Sequence, residues 1–202
     1  MKRSALKKHS FAIDINAPVI LSLTILGLAV LIVDLLTPVN TTMLLGTRRT
    51  TLVDPMQYVR LFSHVTAHAD VAHYVGNFMM ILAIGPMVEE KYGSSRLVLI
   101  TVITALITGL VNVIFFPGSV VVGASGIVFM LILMASFTNI RQKKLPITVL
   151  LVAILYIGNE VLLGLFTTDN ISRISHIVGG LCGAVFSFGF HAKKLQGIDY
   201  DT

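Results

Sequence analysis

The chain has 202 residues, of which 55% are hydrophobic and only 12% charged, and its mean hydropathy is +0.87. Soluble domains carry about 25% charged residues, so composition excludes a water-soluble globular domain and implies an integral membrane protein. The net charge of +5 is not a nucleic-acid footprint: the basic residues cluster at the ends of apolar runs, where they act as topology signals and contacts to anionic headgroups.

In chain order, residues 1–16 are basic (Lys2, Arg3, Lys7, Lys8) and read as a cytoplasmic segment. The apolar run that follows, about 17–37, is long enough to span and lacks a small-residue cleavage site, so it reads as a retained first helix. The connection 38–70 is longer than usual. It mixes Thr, Arg and Asp54-Pro55 with a semi-apolar stretch from Tyr58 to Val65, which suits a short amphipathic element in the outer interface or an external loop. Further spans are expected at about 71–88, 97–116, 124–139, 146–165 and 172–190, the second and fourth of the six being short. A cytoplasmic tail, 191–202, follows. The spans form one compact bundle over 17–190 rather than two domains. No internal repeat appears, which weighs against a repeat-built transporter. The single cysteine, Cys182, excludes a disulfide framework and a cysteine metal cluster, and reads as a packed core residue.

Orientation follows from Lys and Arg. With the N-terminus cytoplasmic, that side collects eleven of them, including Lys91, Arg96, Arg141, Lys143, Lys144, Lys193 and Lys194. The other side keeps Arg48, Arg49, Arg60 and Arg173. This positive-inside bias predicts both termini cytoplasmic.

Polar residues then intrude where lipid makes unpaired groups costly. Asn77 lies about 9 Å into the second span at 1.5 Å per residue, with His73 one turn before it on the same face. Ser125 lies near the start of the fourth span, about 24 Å above Arg141, and His176 near the start of the sixth. These spans run in one direction, so a serine, a histidine and a His/Asn pair reach similar depth. A serine hydroxyl needs a base to take its proton, and neutral histidine is the usual one near pH 7. The oxyanion formed on attack needs donors, which His73, Asn77 and the first amides of the Ser125 helix supply. Gly123 and Gly126 allow a tight entry and close backbone approach. No carboxylate is placed to orient His176, since Asp169 is outside and Asp34 and Glu160 lie elsewhere. The expectation is a Ser125–His176 dyad.

Singly, each residue has a plainer reading: Ser125 as small-residue packing, the histidines as relay or packing groups, Asn77 as an interhelical hydrogen bond. Their common depth favours catalysis. A metal at His68 and His73 is not favoured, because a five-residue helical spacing faces the rings apart and no acidic HExxH partner follows. Gly179 and Gly183 form a G-x-x-x-G pair that lets the last span approach closely enough for His176 to reach Ser125.

At these residues the chain resembles the rhomboid intramembrane serine proteases. The matching stretches are His68-Ala-Asp-Val-Ala-His73-Tyr-Val-Gly-Asn77, Gly123-Ala-Ser125-Gly126 and His176-Ile-Val-Gly179-x-x-x-Gly183, with Glu89-Glu90-Lys91-Tyr92-Gly93-Ser94 like the family's cytoplasmic turn after span two. The resemblance implies an all-α, polytopic bundle of six transmembrane helices with a half-submerged first loop and a mobile fifth span. It also implies Ser125 as nucleophile, His176 as base and later acid, and an oxyanion hole of His73, Asn77 and the Ser125 amide. His68 matches a structural or site-hydrating histidine, and Gly123 and Gly126 match residues that shape the nucleophile turn. Substrates would be transmembrane or juxtamembrane segments of other proteins in the bilayer, with no metal or nucleotide cofactor. The family's first-loop Trp-Arg is Val59-Arg60 here, and the aromatic that stacks on the histidine, commonly tyrosine, is Phe129, which keeps the ring. The rival readings are an inactive rhomboid-like helix binder and a small transporter or channel.

Overall fold

The computed structural model describes residues 15–137, 147, 151, 154–155 and 170–195. The described residues are helical apart from loops and one isolated bridge. Helix α1 is Pro18–Leu36, α2 Thr41–Leu45, α3 Pro55–Ser63, α4 Val71–Tyr92, α5 Ser94–Phe115, α6 Ser125–Phe137 and α7 Asn170–Leu195. Helices α1, α4 and α5, and Arg173–Phe190 within α7, are long and apolar enough to cross a membrane; α6 is apolar but shorter. The expected span 146–165 lies outside the described residues except for four isolated helical positions.

Helix α1 opens on Pro18, whose missing N–H is no loss in a first turn. The side chain of Ala17 provides no cap, so the next amides need another acceptor. Glu89 of α4 supplies it: Val19 N–H donates to Oε1 at 3.0 Å and Ile20 N–H to Oε2 at 3.1 Å. The Ser94 hydroxyl adds a third bond to the same carboxylate at 2.7 Å. This explains a difference from the sequence reading. Rather than ending near residue 88 with Glu89 in a turn, α4 runs through Glu89 to Tyr92, and the turn is made by Gly93 at φ +83°. A carboxylate that caps a neighbouring helix is held inside the bundle, where Glu89 is only 2% exposed.

The 38–70 segment forms two short helices. Asp54 caps α3 by accepting from Met56 N–H at 2.9 Å, and Pro55 fills its first position. The helix is amphipathic: Gln57, Arg60 and Leu61 face inward, while Tyr58, Val59 and Phe62 are exposed. Arg60 is anchored without the family's tryptophan. Its Nε donates to Leu44 O at 3.0 Å and its guanidinium pairs with Asp54 at 3.2 Å.

Helix α6 is the centre of the bundle, packing on α4, α5 and, most extensively, α7. Its buried residues lie on every face (Gly126, Ile127, Val128, Met130, Leu131, Leu133, Met134, Phe137), as expected for a helix surrounded by others. Replacing Glu89 with Ala should lower stability by about 1–3 kcal/mol, since it orphans two buried amides, and Glu89→Gln should cost less. Denaturation in detergent micelles measures this; an unaltered Ala variant would remove Glu89 as the cap of α1.

Candidate functional site

The site is built where the start of α4, the start of α6 and the first half of α7 meet. Asp70 caps α4, its Oδ1 accepting from His73 N–H at 2.7 Å. One turn apart, His73 and Asn77 then share a helix face. That face meets the chain just before α6. Gly123 has φ +115°, and a Cβ there would stand 2.7 Å from His73 Nε2 and 3.4 Å from Asn77 Nδ2. Only glycine allows both the left-handed backbone and this approach. Asn77 is 9% exposed, and its Nδ2 is a buried donor with no hydrogen-bond acceptor among the described residues.

Two further bonds fix the turn into α6. Gly123 N–H donates to His64 O at 2.9 Å, and Ala124 N–H points to His68 Nε2 at 3.3 Å. His68 Nδ1 lies 3.3 Å from Thr66 O. A carbonyl on one nitrogen and an amide on the other assign the neutral Nδ1–H tautomer. The Ala124 carbonyl accepts from Ile127 and Val128 N–H at 2.9 and 3.0 Å, so α6 starts at Ser125 and its first amides have no carbonyl a turn earlier.

Helix α7 closes the other side. A Cβ on Gly179 would collide with the Gly126 carbonyl, and one on Gly183 with the Met130 carbonyl, so the two backbones touch over a full turn. Both pairs advance by four residues together, so α6 and α7 run parallel. The same register carried back sets Ser175 and His176 beside the start of α6, and Ser175 O lies 3.6 Å from the Cβ position of Gly126. The His176 ring lies on Phe129, centroids 4.5 Å apart at 35°, one turn after Ser125. His176 is also near enough to His73 for their charges to interact. Of the expected carboxylates, Asp34 is engaged with Thr41, through Oδ1 to its amide and hydroxyl at 2.7 and 2.8 Å. Asp169 and Glu160 lie outside the described residues.

One geometric expectation is overturned. His68 and His73 do not face apart; their rings meet edge to face at 5.1 Å. The five-residue spacing rule assumes a continuous helix, but α4 begins only at Val71, and the chain before it folds back. Among the described residues, no three His, Cys, Asp or Glu side chains gather in a metal-binding arrangement.

Several residues that serve the site were not singled out by sequence. His64 is buried, with Nδ1 3.2 Å from Arg60 O and Nε2 3.3 Å from Thr108 Oγ1. Asn112 donates to Thr47 O at 2.9 Å and accepts from Ser119 at 2.7 Å. Thr47 also bridges Val121, tying the first loop to the segment before the serine. Asn112 carries the same sequence signal as Asn77, a polar residue in an apolar run. The two differ in what they bind: the Asn112 amide has partners for both its nitrogen and its oxygen, whereas the Asn77 donor waits for one.

Burial lowers the pKa of both His64 and His68 from 6.5 to about 4. The unfolded chain therefore takes up these protons first, so stability falls as pH drops from about 6.5 towards 4 and levels off below. Protonation also turns His68 Nε2 into a donor facing the Ala124 amide. Unfolding midpoints across this window should show the decline, with a shallower slope in His68→Gln; a flat profile in the unaltered protein would refute it.

The family model described as the rhomboid domain matches residues 55–193. Rhomboid protease GluP of Bacillus subtilis is 28% identical over 156 residues, covering 75% of this chain and 29% of that protein. Rhomboid-related protein 2 of Mus musculus is 33% identical over 136 residues, covering 61% and 45%. Rhomboid protease GlpG of Salmonella newport is 29% identical over 131 residues, covering 64% and 47%. The chain thus spans less than half the length of each of these relatives. A helical membrane bundle whose sequence matches the rhomboid model over more than half its length belongs to the rhomboid family.

Proposed function

We propose that the chain is an intramembrane serine protease that cuts transmembrane or juxtamembrane segments of other membrane proteins. The observation that carries this reading is the buried Asn77 Nδ2, without an acceptor, facing the Gly123 backbone beside His73 and next to the serine. In a low-dielectric site an unfilled donor is expensive, and a substrate oxyanion would repay it.

Ser125 Oγ attacks the scissile carbonyl while His176 takes its proton. Negative charge gathers on the carbonyl oxygen, held by Asn77, His73 and the first amides of α6. The intermediate collapses as His176 returns the proton to the leaving amine. Water, deprotonated by the same histidine, then attacks the acyl-serine and releases the second product. Phe129 holds the His176 ring by stacking, His68 positions the Ala124 amide, and Gly123, Gly126, Gly179 and Gly183 allow the close approaches. Two named relatives are rhomboid proteases, which supports the reaction class. The Lys and Arg distribution supports cytoplasmic termini with the site open to the other side, and we place the protein in the plasma membrane on the same proposal.

In lipid vesicles a fluorophosphonate probe should label the protein, and Ser125→Ala should abolish labelling. No labelling and no cleavage of any reporter helix would leave an inactive helix binder as the better reading. His176→Ala should abolish cleavage with the fold retained. Asn77→Ala should retain slow activity, down about 10²–10³-fold, the cost of one oxyanion donor. Equal and complete loss in both variants would argue against the donor role.

A further inference from the structure

We propose that Asp70 is a specificity-determining residue: its fixed negative charge at the mouth of the site selects substrates with a basic side chain beside the scissile bond, on the side where α4 begins, and rejects acidic ones. The inference rests on the proteolytic reading above. The unfilled Asn77 donor marks where the substrate carbonyl is held. Asp70 is the extended N-cap of the helix that carries Asn77, and its carboxylate is tied to the amide of His73, one turn before Asn77. It is exposed.

The carboxylate is pinned and still open. Oδ1 accepts from His73 N–H at 2.7 Å, and this is the one side-chain hydrogen bond of Asp70 among the described residues, its carbonyl accepting from Tyr74 N–H as the helix starts. Its charge reaches both His68 and His73. Capping does not require that charge, because serine and asparagine cap as well as aspartate. What the charge adds to the cap is only the modest attraction of an anion to a helix N-terminus.

There is also room for the matching group. Ala69, the neighbour of Asp70, forms one wall of a hollow of about 410 Å³ at the end of α1, lined also by Asp34, Thr37, Asn40 and Thr42. No basic residue lines it. Asp34, the carboxylate that lines the hollow, uses Oδ1 for both of its bonds to Thr41. Arg60, the buried arginine of this loop, is already paired with Asp54. A lysine or arginine side chain could lay its aliphatic stem in the hollow and keep its head at the carboxylates.

The test uses the full chain in lipid vesicles and reporter segments that differ only by Lys, Gln or Glu, scanned over the residues flanking the scissile bond on that side. The unaltered protein should prefer Lys to Gln to Glu, with about a tenfold span in kcat/KM at the best position, carried by KM and weakened by salt. Asp70→Asn and Asp70→Ser keep the cap and should shrink that span to about twofold, the scale of a residual surface charge effect. Comparing reporters within each variant cancels any general loss of activity. No preference in the unaltered protein, or a preference that survives both substitutions, overturns the role of Asp70 and leaves the protease reading standing. Failure to cut any reporter, with no labelling of Ser125, instead overturns the protease reading.

Discussion

Two hydrogen bonds hold the start of α6 in place, from the amides of Gly123 and Ala124 to His64 O and His68 Nε2. The tight turn before a buried helix has amides that no helical carbonyl can reach, and hydrocarbon offers them nothing. Their partners come from a segment about 55 residues earlier in the chain. That segment is itself moored by Arg60 to Leu44 O, by Asn112 to Thr47 O, and by Leu61 against Gly109 of α5. The first loop is therefore part of the scaffold that fixes the start of α6, where Ser125 lies.

The second determinant is steric. Gly179 on Gly126 and Gly183 on Met130 bring α6 and α7 into backbone contact, which side chains larger than hydrogen would forbid. Such contacts hold in lipid because they rest on dispersion, which close approach strengthens and which needs no expulsion of water. They also set the one coordinate the chemistry needs, the level of His176 relative to the start of α6. The stack of His176 on Phe129 then limits rotation of the imidazole. Glycine sets the distance and the aromatic ring sets the angle.

Much of this was legible because each residue type stood in the wrong solvent. Asn77, His176 and Ser125 announce themselves in apolar runs, and the glycines four apart announce the closest helix pair. What stayed hidden depends on where helices begin. His68 and His73 seemed to point apart on a helix that starts only at Val71. Glu89 falls in sequence within the turn after the second span, because its partners, Val19 and Ile20, are about 70 residues away. Asn112 and Asn77 look alike in sequence, and only the count of satisfied bonds separates the fully bonded amide from the one whose donor has no acceptor among the described residues. Non-local partners are what a linear pattern leaves out.

The rhomboid match begins at residue 55, after α1 and α2. Yet α1 is joined to the matched region at its start and again a turn further on. Glu89 holds its first amides, and further along Tyr74 donates to Thr24 O at 3.0 Å, with Ile20 packed in the same core as Phe78 and Ile81. The matched range and the folding unit therefore have different borders: a cut at the edge of the match would strip α1 from the bundle and leave the buried Glu89 carboxylate without two of its three donors.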